Sequence, residues 1–287
     1  MIELPLPAQV ERQLTRTSLR DVPMLRGVPR AQDDNGTDVV MVSGFFGTKE
    51  DFRELLCLLA RAGCRGWAYD YRGQLGPASQ DLEYTIAHMA EDLLAVIRTA
   101  GSGRPVHLVG HCLGGFVART AAVSEPDLAR SLTLVACGPS MRDRKHKSML
   151  SGLAQLHANG GTIALWPLVK ALLAENDTIM REFWHTKLSS MNPRWVTGTA
   201  ESMADELDRS AELTAAGIRS LVVHGKRDRR LWSADAYEEM ARRLGARRVV
   251  IERASHSPNM EQPALLAEAL LEFWRACRRD EQLVAAR

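Results

Sequence analysis

The chain has 287 residues, of which 45% are hydrophobic and 25% charged, as in an ordinary soluble globular protein. A formal net charge of +2 favours neither a nucleic-acid nor a membrane partner, and no apolar run approaches the roughly 20 residues that span a bilayer. The five cysteines lack the spacing of a disulfide framework or a zinc site, and Pro5 and Pro7 interrupt any signal-peptide core. We therefore expect reduced thiols, no metal, no cofactor and a cytoplasmic location.

The first half of the chain alternates apolar strands with helical patterns. Residues 1–37 predict an arm with one or two edge strands and end in a turn-rich segment. Apolar runs then predict buried parallel strands at Val39–Val42, Trp67–Tyr69, Val106–Val109 and Leu132–Ala136. Helices are predicted between them, including one at Tyr84–Ala100. This alternation is typical of a parallel sheet that helices cover on both faces.

The alternation stops near Pro139. Residues 139–213 show only helical patterns, with candidate helices at Met149–Leu156, Ile163–Leu173 and Thr178–Leu188. Four aromatic residues there either pack in a core or line an apolar acyl pocket: Trp166, Phe183, Trp184 and Trp195. Strands resume at Leu221–Val223 and Val249–Ile251, and an amphipathic helix is predicted from Pro263 to about Cys277. We therefore divide the chain into a core of residues 1–138 and 214–287 and an insertion of residues 139–213.

One segment joins a strand directly to a helix, with Cys112 at the junction. Gly110 and Gly114 flank Cys112, and a Cβ at either position would collide with the neighbouring strand or helix. This is the G-x-S-x-G nucleophile elbow with cysteine in place of serine. With it, the sequence resembles the α/β-hydrolase fold superfamily over about residues 38–138 and 218–277. The resemblance implies an α/β-hydrolase fold, a doubly wound, mostly parallel sheet in which residues 139–213 form a helical lid.

The resemblance also implies an acid and a base for the nucleophile. In this family the acid follows the strand that here ends at Val223, and the pattern H-G-x-x-D places Asp228 there. The next strand leads into a segment similar to the family's H-x-P-x-x-E loop, which makes His256 the base. Asp143 is the alternative acid, because some family members carry it after the preceding strand. Among the eight histidines, His111 is set aside because its side chain should point away from the elbow.

The family stabilises the oxyanion of the reaction with two backbone N–H groups. The resemblance assigns one to Leu113, directly after the nucleophile, and the other to Phe45. The family usually reads H-G-x at the second position, whereas this chain reads Ser43-Gly44-Phe45. Because the donor is a backbone group, the change from histidine to serine leaves the predicted oxyanion hole intact.

A cysteine nucleophile sets the expected chemistry. A helix N-terminus and an imidazole partner favour a thiolate, so the sequence predicts a Cys112–His256–Asp228 triad that cleaves an ester or thioester through a covalent acyl-enzyme. Two alternatives stay open: an acyltransferase or cyclase that uses the same triad, and a non-catalytic ligand-binding homologue.

The expected partner is a small-molecule acyl substrate, free or bound to coenzyme A or a carrier protein, with no nucleic acid and no membrane. The basic run Arg142–Lys147 either contacts an acidic carrier or a phosphopantetheine phosphate, or is a solvated face.

Overall fold

A computed structural model describes residues 3–75, 83–172 and 177–285 of the chain. Its strands are β1 (Val10–Arg16), β2 (Asp21–Gly27), β3 (Thr37–Val42), β4 (Cys64–Tyr69), β5 (Val106–His111), β6 (Ala129–Val135), β7 (Ser220–Gly225) and β8 (Arg247–Ile251). They form one sheet in the order β1-β2-β4-β3-β5-β6-β7-β8. The pairs from β4 to β8 are parallel, and β1 and β2 are antiparallel at one edge. The predicted mostly parallel sheet and its two N-terminal edge strands are confirmed.

The described residues form eleven α-helices. They are α1 (Arg53–Arg61), α2 (Ile86–Ala100), α3 (Leu113–Ser124), α4 (Arg144–Gly160), α5 (Trp166–Leu172), α6 (Thr178–Ser190), α7 (Pro193–Ala204), α8 (Ser210–Ala215), α9 (Ala234–Arg243), α10 (Pro258–Glu261) and α11 (Pro263–Ala285). None of the helices in these ranges is long and apolar enough to cross a membrane.

Three predicted helices differ from the observed ones. The helix predicted over Met149–Leu156 is the central part of the longer α4, Arg144–Gly160. The helix predicted to end near Cys277 continues to Ala285, because no glycine or proline follows to stop it. The helix predicted over Ile163–Leu173 is a 3₁₀ turn at Thr162–Leu165 followed by α5. Its last predicted residue, Leu173, lies outside the described residues.

The described chain divides into two compact units. The sheet unit contains the described residues of 7–70, 90–139 and 208–287, and the helical unit contains those of 1–6, 71–89 and 140–207. The described residues of 71–89 therefore group with those of 140–207, whereas the predicted core contained them. The physical reason is Tyr84, whose hydroxyl accepts a hydrogen bond from Asn192 Nδ2 at 3.1 Å. The assignment of residues 139–213 as a lid stays a prediction.

The helical unit has its own buried aromatic core. Trp195 is fully buried and Phe183 is 2% exposed, so these two pack in the interior, whereas Trp166 and Trp184 of the same predicted cluster are half-buried. Tyr71 lies beside Trp195, with ring centroids 5.9 Å apart.

The central strands of the sheet unit are completely buried. All six residues of β3 and all six of β5 are buried, which is the pattern of parallel strands covered on both faces. His107 in β5 is accommodated by a 2.7 Å hydrogen bond to Ser131 Oγ and by stacking on Trp274. Burial lowers the pKa of His107 to about 3, so this ring is a neutral core residue.

Candidate active site

The candidate nucleophile lies between the last residue of β5 and the first residue of α3. Cys112 has φ 50° and ψ −112°, a left-handed conformation that side chains other than glycine rarely adopt. Two hydrogen bonds hold it there: its N–H donates to the Val135 carbonyl at 2.9 Å, and its own carbonyl accepts from Gly115 N–H at 3.0 Å. The strained apex is thus fixed by the adjacent strand β6 and by the first turn of α3.

The glycines around the apex permit this close packing. A Cβ added at Gly110 would lie 2.3 Å from the Gly114 carbonyl oxygen, and one at Gly114 would lie 2.1 Å from that of Val42. Both distances are far below van der Waals contact. The prediction that these glycines are required by their neighbours is confirmed.

The structure brings the predicted acid and base next to the nucleophile. His256 Nδ1 lies 3.0 Å from Asp228 Oδ2, and the imidazole also forms a hydrogen bond with the Cys112 side chain. The Asp228 side chain is completely buried and that of His256 is 14% exposed. Cysteine, imidazole and carboxylate therefore form one continuous hydrogen-bonded chain within the sheet unit.

The protonation of this chain follows from its contacts. Burial opposes a positive charge on His256, but the hydrogen bonds to Asp228 and Cys112 outweigh it and raise the pKa of His256 to about 10. Burial would likewise raise the pKa of Asp228, but the bond to His256 outweighs it and holds that pKa below its usual value. At neutral pH the pair is therefore an imidazolium and a carboxylate.

Asp228 is held by two further donors. Tyr237 Oη donates to Asp228 Oδ2 at 2.9 Å, and Arg230 N–H donates to Oδ1 at 3.2 Å. Burial and the neighbouring carboxylate raise the pKa of Tyr237 far above its usual value, so the phenol stays a donor. The His224 ring stacks on Tyr237 with centroids 4.4 Å apart. Sequence reasoning missed Tyr237, because its place in α9 shows only the pattern of an amphipathic helix.

The backbone that carries His256 is fixed from both sides. The Glu261 carboxylate accepts hydrogen bonds from Ser255 N–H at 2.8 Å and Ser257 N–H at 2.9 Å. On the other side His111 Nε2 donates to the His256 carbonyl oxygen at 2.8 Å. Burial, followed by the nearby His256, lowers the pKa of His111 to about 3, so its ring is neutral.

His111, which the sequence analysis set aside as a base, thus holds the backbone of the predicted base. Its ring centroid lies 5.3 Å from that of His256. Local alternation along β5 cannot reveal this contact, because the loop after β8, some 145 residues away in the chain, folds over the end of β5.

The loop after β3 lies beside the nucleophile. A Cβ on Gly44 would sit 3.5 Å from Cys112 Cβ, and Gly47 N–H donates to the Gly44 carbonyl at 3.0 Å, which closes a turn around Phe45. Leu113 is the first residue of α3, so the helix itself offers no acceptor for its N–H. The two segments assigned to the oxyanion hole thus flank Cys112, and the roles of Phe45 and Leu113 stay predictions.

The alternative acid has a different place. Asp143 caps α4 by accepting from His146 N–H at 3.0 Å, and its carboxylate also pairs with the His146 ring. Its side chain is 58% exposed. Asp143 belongs to the helical unit, and the carboxylate next to His256 is that of Asp228.

Comparisons with known proteins agree with the fold. Residues 39–269 match the model of the Alpha/beta hydrolase family. A candidate carbamate hydrolase, RutD, from Variovorax paradoxus is 36% identical over 127 residues, which are 44% of this chain and 47% of that protein. The pimeloyl-[acyl-carrier protein] methyl ester esterase of Aeromonas hydrophila is 28% identical over 69% of this chain and 79% of its own length. A thermophilic esterase from Thermogutta terrifontis shares the fold with a TM-score of 0.73 at 24% identity, covering 94% of this chain and 99% of that one.

Proposed function

Since the chain belongs to the Alpha/beta hydrolase family, we propose that it is a hydrolase that cleaves an ester or thioester with Cys112 as nucleophile, His256 as base and Asp228 as acid. The observation that carries the proposal is the hydrogen-bonded chain from the Cys112 side chain through His256 to Asp228 at a strained strand–helix junction. A structural cysteine would need neither the backbone strain nor the imidazolium partner.

The first half of the reaction forms an acyl-enzyme. A Cys112 thiolate, paired with the His256 imidazolium, attacks the acyl carbon, and the carbonyl electrons move to oxygen. The N–H groups of Leu113 and Phe45 stabilise this oxyanion. When the intermediate collapses, the bond to the leaving group breaks and His256 gives its proton to the departing alcohol or thiol. A thioester of Cys112 remains.

The second half returns the free enzyme. The now neutral His256 takes a proton from water as the water oxygen attacks the thioester carbon. The resulting oxyanion collapses, the carbon–sulfur bond breaks, and the acid leaves while Cys112 and His256 regain their ion pair. Asp228 and Tyr237 do not exchange protons with substrate. They fix the His256 tautomer and orientation, and Asp228 stabilises its positive charge.

The sulfur nucleophile favours thioester donors. Exchange of one thioester for another is nearly balanced in free energy, whereas forming a thioester from an oxygen ester is uphill. Among relatives, the Aeromonas hydrophila protein is named for an acyl-carrier-bound ester. We therefore propose an acyl thioester as the preferred substrate and an activated ester as a usable one.

The proposal is tested by trapping the intermediate. The wild-type protein, mixed with butyryl-N-acetylcysteamine and quenched with acid, should gain one butyryl group by intact mass, and peptide mapping should place it on Cys112. Cys112→Ala should lose the adduct and at least about 1,000-fold in turnover, whereas Cys57→Ala, which removes a buried thiol on α1, should keep both. Turnover by Cys112→Ala within tenfold of wild type would refute the nucleophile, and no reaction of the wild type with ester or thioester would favour the ligand-binding alternative.

A further inference from the structure

Four arginines surround the two loops that carry the acid and the base. We call them the arginine rim: Arg227, Arg229, Arg230 and Arg253. Three of them lie within two residues of Asp228, and the fourth precedes His256 by three residues. Arg227 N–H donates to the Ala254 carbonyl at 2.9 Å, which joins the two loops. The rim therefore lies on the same joined loops as the catalytic groups.

The rim side chains lack the carboxylate partners that several other arginines of the sheet unit have. All four rim residues are exposed, and none forms a side-chain hydrogen bond or ion pair with any residue in the ranges that the structure describes. Elsewhere in the unit, Arg242 and Arg243 share the Glu239 carboxylate, and Arg247 binds Glu272 through two bonds. The rim guanidinium groups are available to an external anion.

Acidic residues on the same loops do not neutralise the rim. The Asp228 carboxylate faces His256, and Glu252 is bound to Lys226 Nζ at 2.8 Å. Glu261 accepts the two backbone N–H groups beside His256. On α9, which follows the first loop, Asp235 is exposed, whereas Glu238 pairs with Arg248 and Glu239 pairs with Arg242 and Arg243. The His256 imidazolium is balanced by the Asp228 carboxylate, so the positive charge of this edge of the sheet comes from the four rim arginines.

The positive charge of the rim and the burial of Cys112 together indicate the class of ligand. Cys112 is only 6% exposed, whereas the rim is open to solvent. An acyl donor that reaches Cys112 and also contacts the rim must carry its anionic group at a distance from its reactive carbon. An uncharged arm must connect the two groups. Guanidinium groups bind phosphate in a bidentate manner. We propose that the arginine rim binds the phosphate of a phosphopantetheine thioester, as found in coenzyme A or on a carrier protein. The inference rests on the proposed function of Cys112, and names the donor class for that site.

The test compares two donors with the same acyl group and the same kind of bond. Butyryl-coenzyme A carries phosphates and butyryl-N-acetylcysteamine carries none. The kcat/KM value for butyryl-coenzyme A divided by that for butyryl-N-acetylcysteamine should fall at least tenfold in the triple variant Arg227→Gln/Arg229→Gln/Arg230→Gln. The matched control Arg242→Gln/Arg243→Gln removes two arginines that are already paired with Glu239, and should keep the wild-type ratio.

Two further measurements separate phosphate binding from a general effect of charge. Desulfo-coenzyme A should inhibit hydrolysis of the neutral donor competitively, with a Ki at least tenfold higher in the rim variant than in wild type. Raising the salt concentration should lower kcat/KM for butyryl-coenzyme A in wild type and much less in the rim variant, because screening acts on the same attraction.

The outcomes distinguish this inference from the proposed function. If wild type cleaves both donors and the rim variant keeps the wild-type ratio and Ki, the rim does not bind phosphate and the inference is overturned. If wild type cleaves neither donor, the proposed function itself fails. A butyryl carrier protein, tested alongside, identifies the source of the phosphate: a larger loss than with coenzyme A indicates the carrier-borne arm, and an equal loss indicates the free cofactor.

Discussion

Replacing Asp228 by asparagine tests the acid of the proposed triad. The carboxylate accepts from His256 Nδ1 at 3.0 Å, and it is one of the two partners that raise the pKa of His256 to about 10 against the penalty of burial. An asparagine amide can instead donate to Nδ1. The neutral imidazole would then carry its proton on Nε2, facing Cys112, which is the wrong tautomer for a base. Arg230 N–H can still donate to the amide oxygen at the Oδ1 position, and the Tyr237 hydroxyl can accept from the amide nitrogen that replaces Oδ2, so we expect the fold to survive.

The magnitude follows from what the imidazole must do. In serine enzymes of this type, the same change lowers kcat about 10⁴-fold, because the base has the wrong tautomer. With a preformed thiolate the base acts mainly in the second half of the reaction, so we expect a loss of about 10²- to 10³-fold in kcat, with deacylation as the slow step. Asp143→Asn is the matched control and should stay within about threefold of wild type, since that carboxylate caps α4.

The pH dependence gives a second readout of Asp228→Asn. The pKa of His256 is raised in the folded wild type, so the stabilisation from its positive charge is fully present below its ordinary value of 6.5 and is lost as pH rises through about 10. Without the carboxylate, burial should lower the pKa of His256, so the stabilisation from its positive charge should be lost at a lower pH. The rate of Cys112 alkylation by iodoacetamide, measured across about pH 6 to 11, and thermal melting over the same range both report it. An unchanged profile with normal kcat, or a large loss in Asp143→Asn instead, would refute the assignment of Asp228.

Three further changes are predicted. In a short iodoacetamide pulse, Cys112 should be labelled faster than the other four buried thiols, which are Cys57, Cys64, Cys137 and Cys277. Peptide mapping that shows equal or slower labelling of Cys112 would favour a non-catalytic protein. Cys112→Ser should lose turnover of the acyl thioester and accumulate a stable ester adduct, because His256 must then remove the proton from the serine hydroxyl as it attacks. If the serine variant were the better catalyst on every donor, the preference for thioesters would be refuted and simple ester hydrolysis would remain as the function. Gly114→Ala should lower the free energy of unfolding by about 3 kcal/mol, because its Cβ would lie 2.1 Å from the Val42 carbonyl oxygen. Gly152→Ala, whose Cβ meets nothing within 4 Å on α4, is the control and should raise helix stability by roughly 0.5–1 kcal/mol in denaturant melts, so equal effects of the two changes would contradict the steric argument.

Local physics explains which parts of the fold could be predicted from the sequence. The run Val39–Val42 within β3 is apolar on both faces, a pattern that fits the inside of a covered parallel sheet. The nucleophile elbow could also be predicted from the sequence, because Gly110 and Gly114 mark positions where no side chain fits. The ends of helices are harder to predict, as the continuation of α11 to Ala285 shows. A helix without a stop signal ends where packing and chain entropy balance, and a local sequence pattern does not contain that balance.

The sequence by itself determined the order of strands and helices, the strained position of Cys112 and, through the family resemblance, the positions of Asp228 and His256. Only the tertiary structure decided what surrounds them. These surroundings are the Tyr237 hydroxyl on Asp228, His111 under the His256 carbonyl and the bond that joins the two arginine-bearing loops, between residues 9, 145 and 27 positions apart in the chain. Periodicity and turn chemistry act over a few residues, whereas these contacts depend on which strand ends the sheet brings to the same edge. The partners of a catalytic group are therefore set by the register of the whole sheet.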